Sequence, residues 1–257
     1  MKNRFKNWMF RLMVAGFFIF GLLVSFVLTP RLLYANKTTI RNYSIYYSRQ
    51  LNKTFLQELE QSNILIRSSE LYDPNLKIDV CLKDGSSYPD LIKFVLGKDL
   101  ISSFYNKIIL TGDTVNYDDN YIQLEGHKWN LIQMLAHAQV HCLEFNRYGL
   151  WHSNPIANHP DWKWEGYPEY IAKQNTDQQN LQNNIEKLLQ TEGRTNNGWI
   201  KFVDGKETLI SFDEYRLLTQ YCIEIKGMNF VELMKDTTDE SAIRQQMINW
   251  YNKKQRN

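Results

Sequence analysis

Between Leu12 and Thr29 the chain runs for 18 residues, LMVAGFFIFGLLVSFVLT, without a charge. As a helix rising about 1.5 Å per residue, this run reaches about 27 Å, close to the thickness of a bilayer's hydrocarbon core. No later segment is apolar over such a length. Pro30 and Arg31 close the run, and Lys2, Arg4, Lys6 and Arg11 precede it with no acid among them. Basic residues stay on the cytoplasmic side. The run therefore predicts a single-pass anchor with a cytoplasmic N-terminus and the rest of the chain extracytoplasmic. Trp8 suits the membrane interface, and Arg11 can snorkel toward it. The alternative is a cleaved signal peptide and a secreted product. Signal peptides usually carry an apolar region of about 7 to 15 residues followed by small residues. The nearest candidate here, Leu33-Tyr34-Ala35, is poor at its first position.

Three parts follow: a basic tip and membrane helix over 1–30, a polar tether over 31–42, and one folded domain over 43–257. Thirty basic residues against 28 acidic ones leave a formal charge of +2. That balance gives no footprint for nucleic acid. Cys81, Cys142 and Cys222 are widely separated and form no CxxC pair, which excludes a cysteine zinc finger and a disulfide scaffold. They read as small buried hydrophobes.

In the domain, Tyr43–Ser48 reads as a strand and about 54–69 as a helix. Lys77–Leu82 alternates with period two, which puts Ile78, Val80 and Leu82 on one face of a strand. A short helix over 90–96 and strands over 107–111 and 121–124 follow. From His127 to about Phe145 the apolar spacing turns helical, with Leu131, Met134, Leu135 and Ala138 on one face. The stretch 148–163 is a loop, 164–173 a helix, and 178–191, 212–226 and 238–254 further helices. Strands first and helices after argue for an α+β fold.

His137 and His141 are four residues apart on the first of these later helices, so both imidazoles can reach one ion. Zinc favours imidazole and carboxylate donors, and open sites use three protein ligands. Glu165 comes 24 residues after His141, far enough for a second helix to return. Glu169, one turn on, can accept the spare N–H of a ligand histidine and fix its tautomer. The phrase Asp161-Trp162-Lys163-Trp164-Glu165-Gly166-Tyr167-Pro168-Glu169-Tyr170, with His137 and His141 before it, resembles the gluzincin (peptidase MA-like) zinc metallopeptidases. Their pattern is an HExxH helix followed by a helix carrying W-x-x-E-G-x-A-E-Y. Pro168 stands where that pattern has a small residue. The resemblance implies a zincin-like fold, a small mixed sheet before a mostly helical half. It also implies a zinc ion on His137, His141 and Glu165, and Tyr215 as a candidate for stabilising a developing oxyanion. The core is the safer place for Tyr215, as for Trp162 and Trp164.

The sequence departs from the pattern at one position. The family's general-base glutamate follows the first histidine, and here that residue is Ala138 in the motif HAQVH. Gln139 is an amide and leaves the helix about 100° away. Glu144 shares the histidine face but sits about 10 Å along the axis from His137, which suits a supporting or solvated role. His152 and His159 read as exposed loop residues, and His127 as the opening of the helix without a ligand role. The leading reading is a membrane-anchored, zinc-binding pseudopeptidase that holds a peptide or protein ligand in its cleft. A metallohydrolase with a substitute base and a metal-free interaction domain are the alternatives.

Overall fold

The computed structural model describes residues 2–174, 178–192 and 198–256, and the side chains of Lys2, Arg4 and Lys6 lie outside the described set. Helix α1 (Lys2–Leu28) contains the apolar run, and Trp8–Leu28 is long and apolar enough to cross a membrane. A 3-10 turn at Pro30–Leu32 ends it. Then come β1 (Asn36–Ile40), β2 (Tyr43–Tyr47), α2 (Lys53–Ile66), β3 (Ile78–Cys81), α3 (Tyr88–Leu96), β4 (Ile101–Phe104) and β5 (Lys107–Leu110). A three-stranded unit, β6 (Thr114–Asn116), β7 (Tyr121–Leu124) and β8 (His127–Asn130), leads into α4 (Leu131–Tyr148). Beyond it lie α5 (Asp161–Trp164), α6 (Gly166–Ala172), α7 (Leu181–Glu192), β9 (Trp199–Lys201) and β10 (Glu207–Leu209). The chain closes with α8 (Ile210–Gln220), a π-turn at Tyr221–Ile225, α9 (Phe230–Lys235) and α10 (Glu240–Gln255). The fold is α+β with small sheets.

The main sheet has the order β1-β2-β3-β5-β4. β2, β3 and β5 run parallel, and β1 and β4 are antiparallel edges. The period-two pattern of β3 sorts its side chains as the sequence requires. Ile78, Val80 and Leu82 join Phe55 and Leu59 of α2 and Leu131, Leu135 and Ala138 of α4 in one apolar cluster. Cys81 faces the other way, with Tyr46, Tyr88, Ile92 and Ile109. The sheet thus separates α4 from α3. A second core joins the inner side of α4, through Ala136, Val140 and Leu143, to α6, α7, α8 and α10. Trp162 and Trp164 are buried, and so are all three cysteines, which are free thiols.

Two expectations need correction. Residues 31–42 are not a free tether, because β1 pairs with β2 from Asn36↔Tyr47 to Ile40↔Tyr43. Its polar, exposed pattern hides a strand because it lies at the sheet's edge. The helix also begins later than His127. That residue is in β8, and Asn130 caps α4 by accepting the Gln133 backbone N–H at 3.1 Å. His127 instead stacks on Trp199 at 3.6 Å between ring centres, with its Nδ1 2.6 Å from Glu207.

On α2, Glu58 is buried and neither carboxylate oxygen has a hydrogen-bond partner. Burial, aided by nearby Asp118, pushes its carboxyl up to about 8. The native state therefore holds a proton that the unfolded chain releases above its ordinary value. Stability from this group is full at low pH and falls as pH rises through about 8. Glu58→Gln should match the wild type in thermal melting near pH 5 and melt higher above pH 8. A difference that did not vary with pH would contradict this assignment.

Candidate metal centre

The centre is built where α4 meets the α5–α6 corner. One turn of α4 separates His137 from His141, so both rings leave the same face. Their Nε2 atoms approach to 3.0 Å. Glu165 Oε2 lies 3.2 Å from His137 Nε2 and 3.3 Å from His141 Nε2. The sequence treats 164–173 as one helix, but the structure breaks it at Glu165, between α5 and α6. From this corner the Glu165 carboxylate reaches both histidines of α4. Gly166 allows α8 to lie against this corner, since a Cβ there would sit 2.5 Å from both Thr219 Oγ1 and the Tyr215 carbonyl oxygen. Pro168 fits because it falls in the first turn of α6, where a missing N–H costs little.

The outer ring nitrogens are held by carboxylates. Glu144 Oε2 is 2.7 Å from His141 Nδ1 and fully buried, so it is not solvated. Glu169 Oε1 is 3.0 Å from His137 Nδ1, off the line of a hydrogen bond. Lys173, one turn further on α6 and also buried, places Nζ 2.5 Å from Glu169 Oε2. Sequence reasoning missed this lysine, and its i,i+4 spacing to Glu169 was the available signal.

The charged groups of the centre are strongly coupled. Burial opposes charge on His141, but Glu165 and Glu144 outweigh it and raise the imidazole to about 10. Burial likewise opposes charge on His137, and contacts with Glu165 and Glu169 reverse it, raising that ring too. Burial would raise the Glu165 carboxyl, yet His141 and His137 hold it well below the usual range. For Glu169, burial is again overcome, by Lys173 and then His137, down to about 2. Burial pushes Glu144 up to about 6 against the pull of His141. Lys173 pairs with Glu169, which leaves Glu144 and Glu165 beside the two imidazoles and two positive charges to be supplied. Two protons on the imidazoles supply them, and so does one divalent ion with both rings neutral.

The donor set fits such an ion. His137, His141 and Glu165 form a group able to hold a metal, with ligand atoms within 4.8 Å of one another. Zinc bonds of about 2.0 to 2.1 Å in tetrahedral geometry separate neighbouring ligand atoms by about 3.3 Å. The observed separations of 3.0, 3.2 and 3.3 Å are close to that.

The remaining candidates fall outside this group. Tyr215 is half-buried against the helical core and forms no hydrogen bond with the three ligand residues. Gln139 is locked between α2 and α4, donating to Ser62 Oγ at 2.7 Å and accepting from Tyr43 Oη at 2.7 Å. His152 is exposed, whereas His159 is half-buried and stacks on Trp164, which in turn stacks near His141. Ala138 is 1 % exposed and packs among the apolar residues facing the sheet, so its side chain does not open onto water. Asp99, on the turn entering β4, lies within electrostatic range of His137, His141 and Glu165 and was not singled out from the sequence. Compared with family models, curated proteins and solved structures, the chain matches none of them.

Proposed function

We propose that this protein is a membrane-anchored, extracytoplasmic zinc-binding pseudopeptidase of gluzincin type. The observation that carries the reading is the convergence of two imidazole Nε2 atoms and the Glu165 carboxylate, with a buried carboxylate beside each outer ring nitrogen. With an ion bound, that arrangement would keep protons on the outer nitrogens and leave lone pairs on the inner ones. His137, His141 and Glu165 would hold the ion. When bound, zinc supplies a Lewis-acidic position for a carbonyl or carboxylate oxygen. Ala138 offers no proton acceptor beside it, and Gln139 is committed elsewhere. The chain therefore binds a peptide-like ligand but lacks the positioned base that is worth about 10² to 10⁴ in rate. β4 is the edge strand packed along α4, which gives an extended peptide a place to align.

Cleavage assays on the zinc-loaded protein, with and without chelator, test this reading. Wild-type activity should stay near background. An active enzyme is the second reading, and its substitute base would be a carboxylate such as Asp99, exposed on the turn before β4. Robust chelator-sensitive cleavage that Asp99→Asn removes would establish that second reading.

Two further outcomes follow. Glu169→Gln and Glu144→Gln should each weaken zinc affinity by about 10- to 100-fold without changing stoichiometry, as read by competition with a chelating dye. Unchanged affinity in both would show that the outer carboxylates do not tune the ligands. Protease added to intact cells should digest the domain after residue 31 and leave α1 in the membrane. Full protection of the domain would contradict the orientation, and a mature N-terminus near Asn36 would mean a cleaved signal.

A further inference from the structure

Three consecutive apolar residues at the end of α3 are left exposed by the described residues. Phe94 is 83 % exposed, Val95 39 % and Leu96 55 %, although Tyr88, Pro89 and Ile92 of the same helix are buried. The position of α3 gives this patch a meaning. α3 packs against α1, and Tyr88 Oη donates to the Val27 carbonyl oxygen at 2.7 Å. Trp8–Leu22 of α1 are exposed, whereas Leu23, Val24, Phe26 and Val27 are partly covered. Those four belong to the uncharged run itself. If the run fills the hydrocarbon core, the part docked by the domain begins about 9 Å before its end. α3 then stands at the depth of the bilayer's surface layer, and a bare phenylalanine and leucine there meet lipid rather than water. Leu32, in the turn that follows α1, is also 56 % exposed.

We infer that Phe94, Val95 and Leu96 insert into the headgroup–acyl boundary beside the span and form a second contact between the domain and the bilayer. The inference rests on the anchored reading above. The occupant is lipid because α3 is tied to α1 within the uncharged run, at Tyr88 and Val27, which brings its apolar end close to the span. The consequence is orientation. One helix leaves a domain free to swivel, while two contacts fix its rotation. The main sheet lies between α3 and α4, so the metal centre would be held on the side away from the membrane.

The test uses the full chain reconstituted in phosphatidylcholine vesicles. The native cysteines are buried, so an introduced surface cysteine takes an environment-sensitive fluorophore selectively. Phe94→Cys and Leu96→Cys report the patch, Gly16→Cys reports the span, and Val203→Cys, 100 % exposed in the β9–β10 hairpin, reports water. Spin-labelled lipids with the quencher near the headgroup or at the bilayer centre locate each dye. Expected is strong quenching of position 16 by the central probe. Positions 94 and 96 should shift to the blue and be quenched by the shallow probe, with no change at 203. Position 16 quenched while 94 and 96 behave like 203 would overturn the inference and leave the anchor intact. A blue-shifted but unquenched dye at 94 that depends on protein density would mean a second copy covers the patch, which also overturns it. No quenching at position 16 would overturn the anchored reading, and this inference with it.

Discussion

Ala138→Glu should create chelator-sensitive peptidase activity above the wild-type background while making the zinc-free protein markedly less stable. Both effects come from one position. The substitution places a carboxylate at the residue after the first histidine, where the family that the motif resembles carries its base. A positioned base is worth about 10² to 10⁴ in rate. The site was not left open for it, since the alanine is 1 % exposed and packs against the sheet-facing core. A buried carboxylate without a partner costs about 3 to 5 kcal/mol. The longer side chain can turn from that core toward a bound ion, so zinc should return part of this loss. Melting curves with and without zinc, beside a peptide cleavage assay, read both effects. Wild-type activity that is already strong and unchanged by the substitution would show that another group acts as base. A variant as stable as the wild type without zinc would show that the packing around Ala138 is looser than described.

Replacing either His137 or His141 with alanine should abolish the stabilisation that zinc gives. A ligand present at about a hundred times its Kd stabilises the folded state by about 2.7 kcal/mol, or about 5 to 10 °C in a chain of this size. Two remaining donors rarely hold zinc, so the shift should vanish in either variant. The comparison is made within each variant, with and without the ion. Any separate cost of disturbing the buried carboxylates therefore cancels. A full shift retained in both variants would place the ion elsewhere.

The parts of this molecule legible in the sequence are those whose cause is local. The charge-free run gives a helix, the alternation at Ile78, Val80 and Leu82 gives a strand face, and the spacing of His137 and His141 puts two imidazoles together. Glu165 and Glu169 were found because they lie one turn apart in a recognisable phrase. The misses have distant causes. β1 is polar and becomes a strand only because β2 lies beside it. His127 matched the helical spacing of the residues after it, yet its conformation is set by β7 and its ring by Trp199, 72 residues away.

The metal content of the purified full-length protein tests the central claim most directly. After loading with zinc and removal of free ion, elemental analysis should find about one zinc per chain, lost in His137→Ala and in His141→Ala. No zinc in the wild type, or an amount that the histidine substitutions leave unchanged, would contradict the account.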